Sequence, residues 1–200
     1  MSGICGIVQR DRQPVEADAL YRMMAALAHR GPDDTGTWVD GPVALGHLML
    51  HTTPESLQEK LPLTGGGGSL MLTADARIDN RPELLSHFDF SGRPPAEVAD
   101  SELILAAYEK WGEYCPEKLI GDFAFAIWDQ SHQRLFCARD TMGVRPFYYY
   151  TSERLFAFAS EIKALFCLPD VPRAINPRAV AYFMAALEDD KIVTFYEDIV

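Results

Sequence analysis

The sequence predicts an α+β domain, a four-layer αββα sandwich of two mainly antiparallel sheets with helices outside. Two observations lead there. Strand-like runs follow one another, mostly in antiparallel order, with helical stretches at intervals. The run "DFAFAIWD" is apolar on both faces, because Phe123, Phe125 and Ile127 alternate with Ala124 and Ala126. A strand of that kind is covered on both sides.

Each element has its own signal. "GICGIV" reads as a first strand. In "EADALYRMMAALAH", Leu20, Met23, Met24 and Leu27 recur at i, i+3, i+4 and i+7, an amphipathic helix. "HRGPDD" stops it with Gly and Pro. "TGTWVDGPVALGHLML" predicts two strands turning at Asp40-Gly41. "GGGGS" at 65–69 lacks the Lys-Ser/Thr and following helix of a phosphate loop, so it reads as a hairpin turn. "RPELLSHF" is a short helix and "DFSGRPPAE" a loop. "DSELILAAYEKWG" is a helix with an acidic cap and a glycine stop. "RLFCARD", "PFYYYT" and "LFAFAS" join "DFAFAIWD" as strands. "SEIKALFCL" is helical, and "NPRAVAYFMAAL" is a helix with Pro177 near its start. "KIVTFYEDIV" is strand-like. The expected division is a domain over 1–187, with 188–200 as a linker into something longer.

Composition narrows the function. The chain has 200 residues, 48% of them hydrophobic, and a net charge of −11. That acidity argues against nucleic acid or an anionic membrane as partner. No run reaches the roughly 18 apolar residues of a membrane helix, and no secretion signal opens the chain. Cys5, Cys115, Cys137 and Cys167 show no zinc spacing. A cytoplasmic protein without metal is the simplest expectation. His29, His47 and His51 form no recognisable ligand set, and Phe147–Tyr150 reads as core and sheet surface.

Cys5 is the chemical candidate. A thiolate attacks carbonyl carbon, but it needs a base. A terminal α-amine, with a pKa near 8, would serve if Cys5 were residue one. The other reading is a buried strand thiol.

Five segments, in this order, carry a resemblance: "CGIV", "HRGPD" at 29–33, "GDFAFAIWD" at 121–129, "RDTMGVRPFYY" at 139–149 and "FASEIKAL" at 158–165. Together they resemble the N-terminal class II glutamine amidotransferase domain of glutamine-hydrolysing asparagine synthetases. The resemblance implies an N-terminal-nucleophile hydrolase fold and hydrolysis of glutamine to glutamate and ammonia. It implies no cofactor in this domain. ATP and Mg belong to a C-terminal synthetase domain of the same chain, whose pyrophosphate-loop residues do not occur here. A homodimer is a further possible assembly.

The same resemblance marks departures. Cys5 matches the family's nucleophile in motif but not in position; removal of Met1 would leave Ser2 first. Met49 stands where the family has the arginine that clamps the glutamine carboxylate. Asp75 stands at the oxyanion donor, and an ionised carboxylate only accepts. Ala76 replaces a glycine, and Arg77 replaces a glutamate. Asp100 matches the ligand of the glutamine amine, or caps its own helix. Arg30 is retained near the nucleophile. The expectation is therefore an amidotransferase domain of an asparagine-synthetase-like amide-forming enzyme with a degenerate glutaminase. Two alternatives stand beside it: an active glutaminase after loss of residues 1–4, and a non-catalytic module of a lactam- or lasso-peptide-forming synthetase. Arg77 is the candidate to replace the missing clamp.

Overall fold

A computed structural model describes residues 1–90, 92–187 and 193–200. The strands are β1 (Gly3–Gln9), β2 (Asp34–Asp40), β3 (Val43–Met49), β4 (Leu63–Gly65), β5 (Leu70–Ile78), β6 (Gly121–Asp129), β7 (Arg134–Arg139), β8 (Tyr148–Thr151) and β9 (Leu155–Ala159). The helices are α1 (Ala17–Leu27), α2 (Arg81–Leu85), α3 (Asp100–Trp111), α4 (Ile162–Leu165) and α5 (Pro177–Met184). One sheet has the order β2-β3-β1-β9-β8 and the other β4-β5-β6-β7. Every ladder between them is antiparallel.

The layers follow from the two-residue period of a strand. In β1, Cys5 and Ile7 face α1 and pack with Leu20, Met23, Met24 and Leu27. Ile4 faces the opposite way, into a layer shared with Val43, Leu45, Met71, Ala124, Ala126 and Phe158. Gly6 faces this layer too, where a Cβ would come within 2.3 Å of the Phe158 ring. On the outer side of the second sheet, Phe123, Phe125 and Ile127 meet Leu103, Ile104 and Ala107 of α3. β6 thus turns its alanines toward the other sheet and its large side chains toward the helix.

Several local expectations change. Asp100 does not cap α3. Ala99 is the N-cap residue, and Glu102 accepts from its N–H at 2.8 Å. Gly112 does end α3, at φ 59°. α4 is a single turn, because Pro169 follows closely. Over residues 193–200 the C-terminal run forms isolated bridges, Tyr150 with Ile199 and Ile175 with Tyr196, and no extended strand among these described residues. Residues 188–192, where the domain boundary was expected, lie outside the described residues. No helix among the described residues is long and apolar enough to cross a membrane.

Phe125 is fully buried between β6 and α3. Phe125→Ala should cost about 3–5 kcal/mol, read as a lower urea midpoint at unchanged slope.

Candidate active site at the N-terminus

The structure brings Ser2, and not Cys5, to the polar pocket. Residues 2 and 5 differ by three positions, so in an extended chain they project to opposite faces. Cys5 is fully buried on the α1 side, and burial pushes its thiol up to about 12. Ser2 projects between the sheets instead. It lines a small polar pocket with Met1, Met49, Leu50, Asp75 and Arg145.

Ser2 is held at every polar atom. Its N–H donates to Asp75 Oδ1 at 3.2 Å. Its carbonyl accepts from Arg30 Nε at 2.9 Å. Its hydroxyl accepts from the Leu50 N–H at 3.1 Å and points at Met49 Sδ, 3.8 Å away. Met49 is buried, so a thioether fills the position expected of a carboxylate clamp. Arg77 does not rescue the clamp. It is half-exposed and pairs with Asp79 and Asp122 outside the pocket.

Asp75 is the electrostatic centre. Arg145 Nη1 lies 3.4 Å from one oxygen and Arg30 Nη2 lies 3.5 Å from the other. Burial lifts its carboxyl above the usual carboxylate range, against the pull of both guanidiniums. Ala76 follows it and lines the same pocket. Arg30 continues outward to Glu161 at 3.1 Å, which also meets His29 at 2.8 Å and Lys163 at 3.0 Å.

Asp100 and Glu59 form the other wall of the pocket. Asp100 accepts from the Ile78 N–H at 3.0 Å and pairs with Arg81. Burial raises its carboxyl, opposed by those two partners. Glu59 accepts from the Ser101 N–H at 2.9 Å. Burial pushes Glu59 up to about 7, with the nearby Asp100 adding to the effect. Among the described residues no group of three His, Cys, Asp or Glu side chains is placed to hold a metal ion.

Ser2, Arg30, Met49, Asp75, Ala76 and Asp100 therefore meet at one place, and Cys5 does not. Sequence reasoning missed Ser2, Arg145, Glu59 and Glu161. Strand parity would have flagged Ser2. Arg145 and Glu161 sit within the quoted motifs, and Glu59 has no local signal.

Two packed antiparallel sheets with a polar site at the start of a central strand define an N-terminal-nucleophile hydrolase fold. The solved glutamine phosphoribosylpyrophosphate amidotransferase from B. subtilis has the same fold. It aligns with a TM-score of 0.67 at 20% identity, over 82% of this chain and 43% of that one. The chain itself belongs to the glutamine amidotransferase domain family, matched over residues 1–200. Asparagine synthetase [glutamine-hydrolyzing] 3 of Bacillus subtilis is 34% identical over 88% of this chain. A putative asparagine synthetase [glutamine-hydrolyzing] 2 of Methanocaldococcus jannaschii is 29% identical over 92% of it. The chain spans 29% and 39% of the lengths of these two relatives.

Two outcomes follow from this geometry. A protein starting at Cys5 loses the Gly3–Leu48 and Ile4–His47 pairings and the fully buried Ile4 side chain. Loss of that burial alone should cost about 2–5 kcal/mol, a melting point lower by about 4–20 °C. For Glu161, burial alone would raise the carboxyl, but bonds from Lys163, Arg30 and His29 outweigh it and bring it to about 2. A depressed carboxylate stabilises the fold above its unfolded pKa, and that contribution is lost as pH falls through the folded value. Glu161→Gln should therefore flatten the fall in stability between about pH 4.5 and 2, measured by denaturation at stepped pH.

Proposed function

We propose that this domain keeps the amidotransferase scaffold without hydrolysing glutamine, and serves an asparagine-synthetase-like amide-forming protein. The observation that carries this is the Asp75 carboxylate against the Ser2 nitrogen. If Met1 is removed, that nitrogen becomes the α-amine. A carboxylate beside an amine favours the ammonium form, which has no lone pair to act as base. The same carboxylate would repel a developing oxyanion, where a donor normally supplies about 10²–10³ in rate. Met49 offers no donor to a substrate carboxylate. ATP and Mg chemistry, with the acyl and amine substrates, would belong to a synthetase domain like that of the longer relatives.

The reading in which residues 1–4 are cleaved to free Cys5 is disfavoured by the burial of Cys5 and Ile4. A working glutaminase would instead use Ser2.

The test is direct. Purified protein, its N-terminus defined by intact mass, is given glutamine, and glutamate and ammonia are measured. Background release is expected. Turnover in the ordinary enzyme range of about 1–10³ s⁻¹ would overturn the proposal. The triple variant Ser2→Cys, Met49→Arg, Asp75→Asn should gain activity over the parent.

A further inference from the structure

We propose that the pocket beside Ser2 binds an ω-amino carboxylate, with its ammonium at Glu59 and Asp100, its carboxylate at Arg145, and no carboxylate next to the amine. This rests on the reading of the pocket as one that no longer cleaves glutamine.

The cationic end is Arg145. Its side chain is 11% exposed, and its Nε is buried without a hydrogen-bond partner. Buried donors are almost always paired in folded proteins, so this one points to an acceptor that arrives from outside. The backbone that carries the guanidinium is held in place. Asp140 accepts from the backbone N–H groups of Val144 and Arg145, at 2.9 and 3.0 Å. The contact from Nη1 to Asp75, at 3.4 Å, is long for a charge-assisted bond. Arg30 shares Asp75, so two guanidiniums face one carboxylate at this end.

The anionic end is Glu59 with Asp100. Asp100 already has Arg81. Glu59 has hydrogen bonding from Ser101, but no salt bridge within 4 Å reaches it among the described residues. Burial raises its carboxyl, and the neighbouring Asp100 adds to the effect. An ammonium between the two carboxyls would restore the balance.

β5 sets the separation. Asp75 binds Ser2 at one end, and Ile78 binds Asp100 at the other. Three residues of strand span about 10 Å. A ligand with about three or four methylenes between its charges fits that interval once Glu59 and Arg145 reach inward. At the Glu59 and Asp100 end the cation among the described residues is Arg81, already paired with Asp100, so an α-carboxylate beside the amine has no free partner there. That lack separates this ligand from glutamine.

Met1 controls entry. It lines the pocket, and with it in place the cavity holds about 10 Å³, room for about one water. Removal of Met1 clears the space of a methionine side chain.

The test uses protein shown by intact mass to lack Met1, after aminopeptidase treatment where it is retained. Calorimetric titration compares 4-aminobutyrate and 5-aminovalerate with glutamine, butylamine and butyrate. One of the ω-amino acids should bind at least about tenfold tighter than the other three ligands. Arg145→Met and Glu59→Gln should each weaken it about ten- to a hundredfold, and Arg145→Lys should recover part of the loss. Thermal melts establish that each variant is folded. Glutamine binding as tightly as the better ω-amino acid would overturn the proposal. So would absent ω-amino acid binding in folded, Met1-free protein, or full affinity in Arg145→Met. Ammonia release from glutamine counts against the loss of hydrolysis and not against this ligand.

Discussion

The two-residue period of β1, laid between its neighbours at the middle of a five-stranded sheet, governs this molecule. β1 pairs with β3 on one side and β9 on the other. Its Cα positions are therefore fixed from both edges, and each side chain is committed to one face. Ile4 and Gly6 must face the second sheet, while Cys5 and Ile7 must face α1. A shift by one residue would exchange the two sets and drive Cys5 against Phe158. The register is what places Ser2 among Met49, Asp75 and Arg30. The chemistry of the site follows from sheet geometry before any catalytic argument begins.

Charge then shapes what that geometry can do. A line of ion pairs runs inward from exposed His29 and Lys163 through Glu161 to Arg30, and on to Asp75 and Arg145. Burial would raise Glu161, but it accepts from three side chains, Lys163, Arg30 and His29, and together these bring it down to about 2. Asp75 is shared by two, yet its burial prevails and its pKa goes up. The difference is solvent. Glu161 is partly reached by water, so its three partners outweigh the cost of its burial; Asp75 is sealed between sheets, and its two partners do not. Arg30 is common to both and fixes the Ser2 carbonyl as well. The loop-bracing and active-site readings of Arg30 thus describe one arrangement.

The fold was largely legible in the sequence because its signals are local and repeated. The apolar spacing of Leu20, Met23, Met24 and Leu27 declares α1, and the double-faced "DFAFAIWD" declares a strand packed on both sides. The motifs resembling asparagine synthetases pointed to the family now shown. The site was legible only in part. Met49, Asp75 and Asp100 were located because they fall within recognisable segments, and all three line the pocket. For Cys5 the sequence left a nucleophile and a buried strand thiol side by side, and the structure buries it on the α1 face. Asp100 was expected as a possible helix cap, but its carboxylate reaches across to Ile78 on β5. That contact spans 22 residues, and nothing near Asp100 encodes it. Glu59 and Arg145, 86 positions apart in the sequence (145 − 59), line the same pocket, which only the assembled layers reveal.

The central placement of β1 also bears on how the chain is made. Its partner β3 ends at Met49, but its other partner, β9, begins at Leu155. Until about three-quarters of these residues have left the ribosome, the first strand has one free edge and the sandwich cannot close. At roughly 5–20 residues per second, that interval lasts about 8–30 s. During it Ile4 and Phe158, which share the inner layer, have not yet met. Once β9 docks, Cys5–Gln9 gains its second ladder and that layer closes. The strand made first is thus among the last to be fully paired, and the strand order of the sheet is what delays it.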